Sequence, residues 1–249
     1  MRDPSRFAWP DGIRAAVTLT FDDARESQLI HGIPILDRHD VKATFYVSLT
    51  GVDQRLDDWR RVVGGGHEIG NHSINHVCSG NFCWPSTLTL EDYSLERMEE
   101  DILAAQKGIE DRLGVSPRTF AYPCGQSFVG RGEQCRSYTP IVARHFIAGR
   151  RFREETFNDP SFCDLARLAG TEGDGLSFDQ LRTIIHQAAD EGAWIVLAIH
   201  DVGLDQPHQV MSTDTLEQLC THCKDPTNAI WIDTTEHIAD FINRTRSQS

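Results

Sequence analysis

Short apolar runs alternate with helical patterns along most of the chain. Residues 15–21, "AAVTLTF", are apolar enough for a buried strand, and "ESQLIHGIPILDRH" behind them has the spacing of a helix. The same pairing recurs in "ATFYV" (43–47), followed by the helical "LDDWRRVV" that Gly64, Gly65 and Gly66 close. A short strand is expected in "HEIGNHS", then a loop containing "CSGNFCWP". A long amphipathic helix is predicted from about Thr89 or Glu91 to Leu113, with Gly114 ending it. Its charge run, Glu96 to Asp101, reads as a solvated face. Further strands are expected at 119–123, 141–149, 164–170, 194–200 and 229–234, and helices at 178–191 and 235–244.

Seven or eight strands alternating with helices argue for parallel pairing through crossover helices, either as a (β/α) barrel or as an open doubly wound sheet. In a barrel, function gathers where strands end at their carboxyl side. That is where Asp22 and Asp23 stand, two carboxylates directly after a buried run. Adjacent like charges are costly unless a cation or a division of labour separates them. No repeat, low-complexity tract or long linker interrupts the pattern, so residues 1–249 are expected to form one domain.

Composition narrows the class. The net charge of −13 argues against a phosphate-backbone ligand, which needs clustered Lys and Arg. No apolar run approaches the roughly 20 residues of a membrane helix. The polar N-terminal "MRDPSRFAWPDG" lacks the apolar centre of a secretory signal, giving a cytoplasmic expectation. The seven cysteines are odd in number and scattered, which suits reduced thiols better than a disulfide framework. Cys220 and Cys223 have the spacing of a metal pair, but without a second pair they are assigned to a helix starting near Thr213.

Three further stretches carry candidate chemistry. In "HSINH", His72 and His76 would share a face if that segment were helical, and two imidazoles with one carboxylate make a three-ligand site typical of catalytic zinc. One of the two Asp would bind the metal and the other would take a proton from water. His200 ends the apolar "WIVLAIH", placed to act as a general acid. "TFAYPCG" ends a strand in a turn whose backbone N–H groups could meet an oxyanion.

Taken together, "TFDD", "HSINH", "FAYPCG" and "LAIH" resemble, in order and rough spacing, the polysaccharide deacetylase family (carbohydrate esterase family 4). The resemblance implies a distorted (β/α) barrel of about seven parallel strands and a hydrolase that removes N- or O-acetyl groups from a carbohydrate with a divalent metal, zinc first. By position it implies Asp22 as general base, Asp23, His72 and His76 as metal ligands, His200 as general acid, and the Cys124 backbone N–H as oxyanion donor. Tyr122 and Trp84 are candidates for substrate contact, and Phe82 and Tyr138 for stacking on a sugar. Two departures stand out. Many family members carry an Arg that holds the base in a segment like "FRPPYG", where this chain has Ala121; Arg131, Arg150 and Arg167 are the replacements on offer. The usual Asp-plus-Trp motif is missing, and "RLAGTEGD", with Glu172 and Asp174, stands in its place. Two alternatives keep the scaffold: an allantoinase-like amidase acting on a small amide, or a carbohydrate-binding protein without catalysis.

Overall fold

The computed structural model describes residues 7–10, 12–82, 87–154, 156–204 and 209–248. Seven parallel strands form a distorted (β/α) barrel: β1 (Ala15–Asp22), β2 (Thr44–Val47), β3 (Glu68–Asn71), β4 (Thr119–Ala121), β5 (Ala148–Arg150), β6 (Thr171–Glu172) and β7 (Trp194–Ile199). In space they run β5-β4-β3-β2-β1-β7-β6. Between β5 and the segment leading into β6, Arg150 and Leu168 form a parallel bridge, and the Glu154 N–H donates to the Gly170 carbonyl at 3.1 Å. An eighth strand, β8 (Ile230–Ile232), pairs with the lower half of β1 at Ala15–Val17, while β2 pairs with its upper half at Thr20–Asp22. The helices are α1 (Ile33–Arg38), α2 (Leu49–Gln54), α3 (Leu56–Gly64), α4 (Leu95–Leu113), α5 (Thr139–His145), α6 (Phe178–Glu191), α7 (Thr213–Lys224) and α8 (Thr235–Gln248). No helix among the described residues is long and apolar enough to cross a membrane.

Side-chain alternation sorts each strand between helices and barrel interior. Val17, Leu19 and Phe21 of β1, Phe45 of β2 and Ile195, Leu197 and Ile199 of β7 share the core under the helices. The opposite parity brings Thr20, Asp22, Tyr46 and Arg150 inside. Gly70 makes room for this interior, because a Cβ there would stand 2.3 Å from the Tyr46 ring. At the N-terminal end, buried Glu68 accepts from the Thr44 hydroxyl (2.7 Å), the Thr119 hydroxyl and the Glu236 N–H (2.9 Å) in the first turn of α8. A carboxylate suits that helix end, yet burial pushes its pKa up to about 6 against these hydrogen bonds.

Several expectations need correction. Residues 141–149 are not one strand: α5 takes 139–145, with Pro140 in its first turn, and only 148–150 join the sheet. The segment 164–170 is a single 3-10 turn (Leu165–Arg167) capped by Asp164, followed by the bridge at Leu168. The long helix begins at Leu95, where the Ser94 side chain accepts from the Arg97 N–H; residues 90–92 form a separate turn. The expectation of reduced thiols fails for one pair, since Cys78 and Cys124 form a disulfide. Cys220 and Cys223 do lie on α7, buried in the core.

Candidate active site

Asp22 is the last residue of β1 and faces inward; a regular strand would turn Asp23 the other way. The chain instead enters the left-handed region at Asp23 (φ 75°) and Ala24 (φ 56°), which brings both carboxylates to one cup. Such a turn costs on the order of 1–3 kcal/mol per residue and persists only where its surroundings hold it. Here the Ser48 hydroxyl donates to the Asp23 carbonyl (2.7 Å), and Asp23 N–H donates to the Tyr46 carbonyl (3.0 Å). Gly51 packs so close that a Cβ would stand 2.5 Å from the Ala24 oxygen.

His72 follows β3 and is buried. Its Nδ1 lies 2.8 Å from the Ala121 carbonyl, which can only accept, so Nδ1 carries the proton and Nε2 offers its lone pair to the cup. His76 joins it, but not on a helix as the spacing suggested. Residues 72–76 form a loop with left-handed turns at Ser73 and His76, and the two rings lie 4.7 Å apart edge to face. Asp101 holds this loop from α4: its carboxylate accepts from the Ile74 and Asn75 N–H groups, the Asn75 amide and the Tyr93 hydroxyl. The end of the expected solvated charge run is therefore buried. Asp23 Oδ1 lies 3.8 Å from His72 Nε2 and 3.7 Å from His76 Nε2, and one ligand atom from each of the three residues falls within 4.8 Å of the others.

Asp22 has a different partner. Its Oδ1 accepts from Arg150 at 2.5 Å, and this guanidinium is fully buried over the Tyr46 ring. Burial alone would raise the Asp22 pKa, but Arg150, His72 and His200 outweigh it and hold the carboxyl at about 2. Burial holds His72 mainly neutral, at about 4. Of the three candidate tethers, Arg150 is the one in place. It stands opposite Ala121 in the β4–β5 register, so the guanidinium comes from the neighbouring strand at the same height.

His200 leaves β7 with its Nδ1 2.6 Å from Asp174 Oδ2, while its own N–H donates to Asp174 Oδ1. Burial favours the neutral ring, but Asp174, Asp22 and Asp23 prevail and raise its pKa. Asp174 stood in the sequence without a role, and so did Gln28. The Gln28 amide donates to the Asp22 and His200 carbonyls, tying the two strand ends together. Arg25 is a further residue the sequence did not single out: it binds Asp23 Oδ2 at 2.9 Å and Asp201 at 2.5 Å.

Asp22, Asp23, His72, His76, Cys124 and His200 line one cavity of about 240 Å³. Tyr122 and Phe82 border it too, but the Tyr122 hydroxyl is committed to the Ala166 carbonyl, which leaves only its ring for a ligand. Tyr138 is buried with its hydroxyl on the Gln126 carbonyl and does not reach the cavity wall. Trp84 lies outside the described residues.

Residues 11–131 match the sequence profile described as polysaccharide deacetylase. A peptidoglycan-N-acetylglucosamine deacetylase of Listeria monocytogenes is 34% identical over 110 residues, covering 44% of this chain and 21% of that protein. One from Bacillus cereus is 32% identical over 134 residues, covering 54% of this chain and 44% of that protein. The matches thus span 21% and 44% of these curated relatives' lengths. Among solved structures, the Xyl-CE4 domain of a multidomain xylanase from the hindgut metagenome of Trinervitermes trinervoides superposes with a TM-score of 0.58 at 20% identity, covering 92% and 91% of the two chains. Peptidoglycan deacetylase PdaC from Bacillus subtilis gives 0.56 at 18%, covering 95% of each. At these identities the structural likeness speaks to the fold.

Proposed function

We propose that the chain is a member of the polysaccharide deacetylase family, whose profile its residues 11–131 match, and that it is a metal-dependent hydrolase removing acetyl groups from a carbohydrate. The observation that carries this reading is the convergence of Asp22, Asp23, His72, His76 and His200 on one cavity, with Arg150 and Asp174 buttressing the two groups that would move protons. N-Acetylated amino sugars come first as substrates, because two relatives are named for that linkage.

Asp23, His72 and His76 suit a divalent cation, zinc by their chemistry, since the Ala121 contact fixes His72 as a donor through Nε2. When bound, such an ion supplies Lewis-acid polarisation and lowers the pKa of water. Asp22, kept ionised by Arg150, takes the proton of the attacking water on the oxygen that Arg150 leaves free. The Cys124 N–H donates to the oxyanion as the acetyl carbon becomes tetrahedral. His200, its protonated form favoured by Asp174, gives a proton to the departing amine or alkoxide.

The test is acetate release by zinc-loaded protein from chitooligosaccharides, peptidoglycan fragments and acetylated xylan, with allantoin as a small-amide control. Acetate from one sugar class, lost in Asp22→Asn while bound zinc is unchanged, is the expected result. Turnover of allantoin alone would move the substrate to small amides. No turnover of anything by the loaded protein would sink the hydrolase.

A further inference from the structure

Cys78 and Cys124 are bonded across the rim of the cavity, 46 residues apart in sequence and 5.9 Å apart at Cα. Cys78 follows His76 by two residues, and Cys124 lies in the turn after β4, on the cavity wall. The hydrolysis described above uses neither sulfur. Between the sulfurs and the carboxylates stands His76, whose two ring nitrogens meet different neighbours. Nε2 is 3.7 Å from Asp23, whereas Nδ1 is 3.9 Å from Cys78 Sγ. One ligand atom from each of His76, Cys78 and Cys124 falls within 4.8 Å of the others, as in the Asp23, His72 and His76 set. His72 has no such second role, because the Ala121 carbonyl occupies its Nδ1.

A disulfide sulfur is a poor metal ligand; a thiolate is among the best for zinc. We propose that His76, Cys78 and Cys124 form a second zinc site, closed while the cysteines are joined and opened by a dithiol reductant. The reductant's two thiols give up two electrons and two protons and close to a cyclic disulfide. The Cys78–Cys124 bond breaks, leaving two cysteine thiols whose protons pass to solvent as the metal binds. The sulfurs stay close after the bond opens, because Ser79 N–H donates to the Gln126 side chain at 2.8 Å and so ties the same two segments. Cys124 borders the cavity, so a small reductant has a way in. Both sites draw on one imidazole, and the softer set takes zinc at the expense of the harder one. That last consequence rests on the hydrolase reading; the thiolate site itself does not.

Cobalt(II) titration of the full chain tests it, comparing the oxidised protein with protein reduced by a dithiol and desalted without air. Reduction is expected to expose two further thiols and to bring up a sulfur-to-cobalt charge-transfer band absent from the oxidised form. The band should vanish in Cys78→Ser and persist in Cys220→Ser/Cys223→Ser, which excludes the buried pair on α7. With one equivalent of zinc, reduction should also lower acetate release. A gain of two thiols without the band, no gain in thiols, or a band that survives Cys78→Ser overturns the proposal. A band in a protein that releases acetate in neither state removes the hydrolase and leaves this site standing.

Discussion

Glu68 gives a measurable electrostatic signature at the bottom of the barrel. Its carboxyl titrates at about 6 in the fold, against 4.5 ordinarily, and burial is the first cause. A difference of roughly 1.5 in pKa corresponds to about 2 kcal/mol. The sign follows from which state holds the proton more tightly, here the folded one. The contribution to stability is therefore fully present below about 4.5 and is lost as pH rises through about 6. Glu68→Gln keeps a carbonyl for the Thr44 hydroxyl and the Glu236 N–H, and its amide can donate to the Thr119 hydroxyl. It carries no charge at any pH. Relative to the wild type, the variant should gain about 1.6 kcal/mol between pH 4.5 and 7.5, the share of the 2 kcal/mol that this window spans. Urea denaturation of both proteins across the window measures the gap, and other titrating groups cancel in the difference. A gap constant to within about 0.5 kcal/mol would refute the account of Glu68 as a carboxylate ionised against its burial.

Three more outcomes follow from the site. Arg150→Met leaves Asp22 buried beside Asp23 with no guanidinium; stability should fall by about 3–5 kcal/mol, and acetate release by about 100-fold or more, while Asp22→Asn on the same background restores stability but not activity. Asp174→Asn removes the partner that raises the His200 pKa, so the alkaline limb of the activity profile should move to lower pH; an unmoved limb would show that His200 is not the acid. Gly51→Ala places a Cβ against the Asp23–Ala24 turn, and zinc affinity, read by competition with a chelating dye, should drop about 10–100-fold.

Much of the architecture was legible because strands buried on both faces are continuous apolar runs, as in 15–21 and 194–199. The same cue misled at 141–149, where Ile141 and Val142 on a short helix and Phe146 just past its end pack into the second core cluster. Pro140 was the start signal that outweighs β-branched composition there. The strand-end carboxylates and the histidine pair could be read because each lies next to its own strand. Arg150, Asp174, Asp101 and Gln28 could not be assigned, since each acts on a residue between 26 and 172 positions away. Their meaning depends on strand register and loop path, which no local pattern states. The disulfide escaped for the same reason: an odd cysteine count says nothing about which two turns meet at the rim.

The pairing of Ala121 with Arg150 bears on how such sites are described at all. A motif is written along one strand, as a string. The cavity is tiled in two directions, along strands and across them, and Asp22 senses only a positive group at one level of the ring. Two neighbouring columns can supply that group from paired cells of the lattice. Replacing the cation in one column by a methyl group then leaves the charge pattern intact, although the string reads as damaged. For this barrel the unit that carries chemistry is a row through several strands, and its spelling along any one of them is free to change.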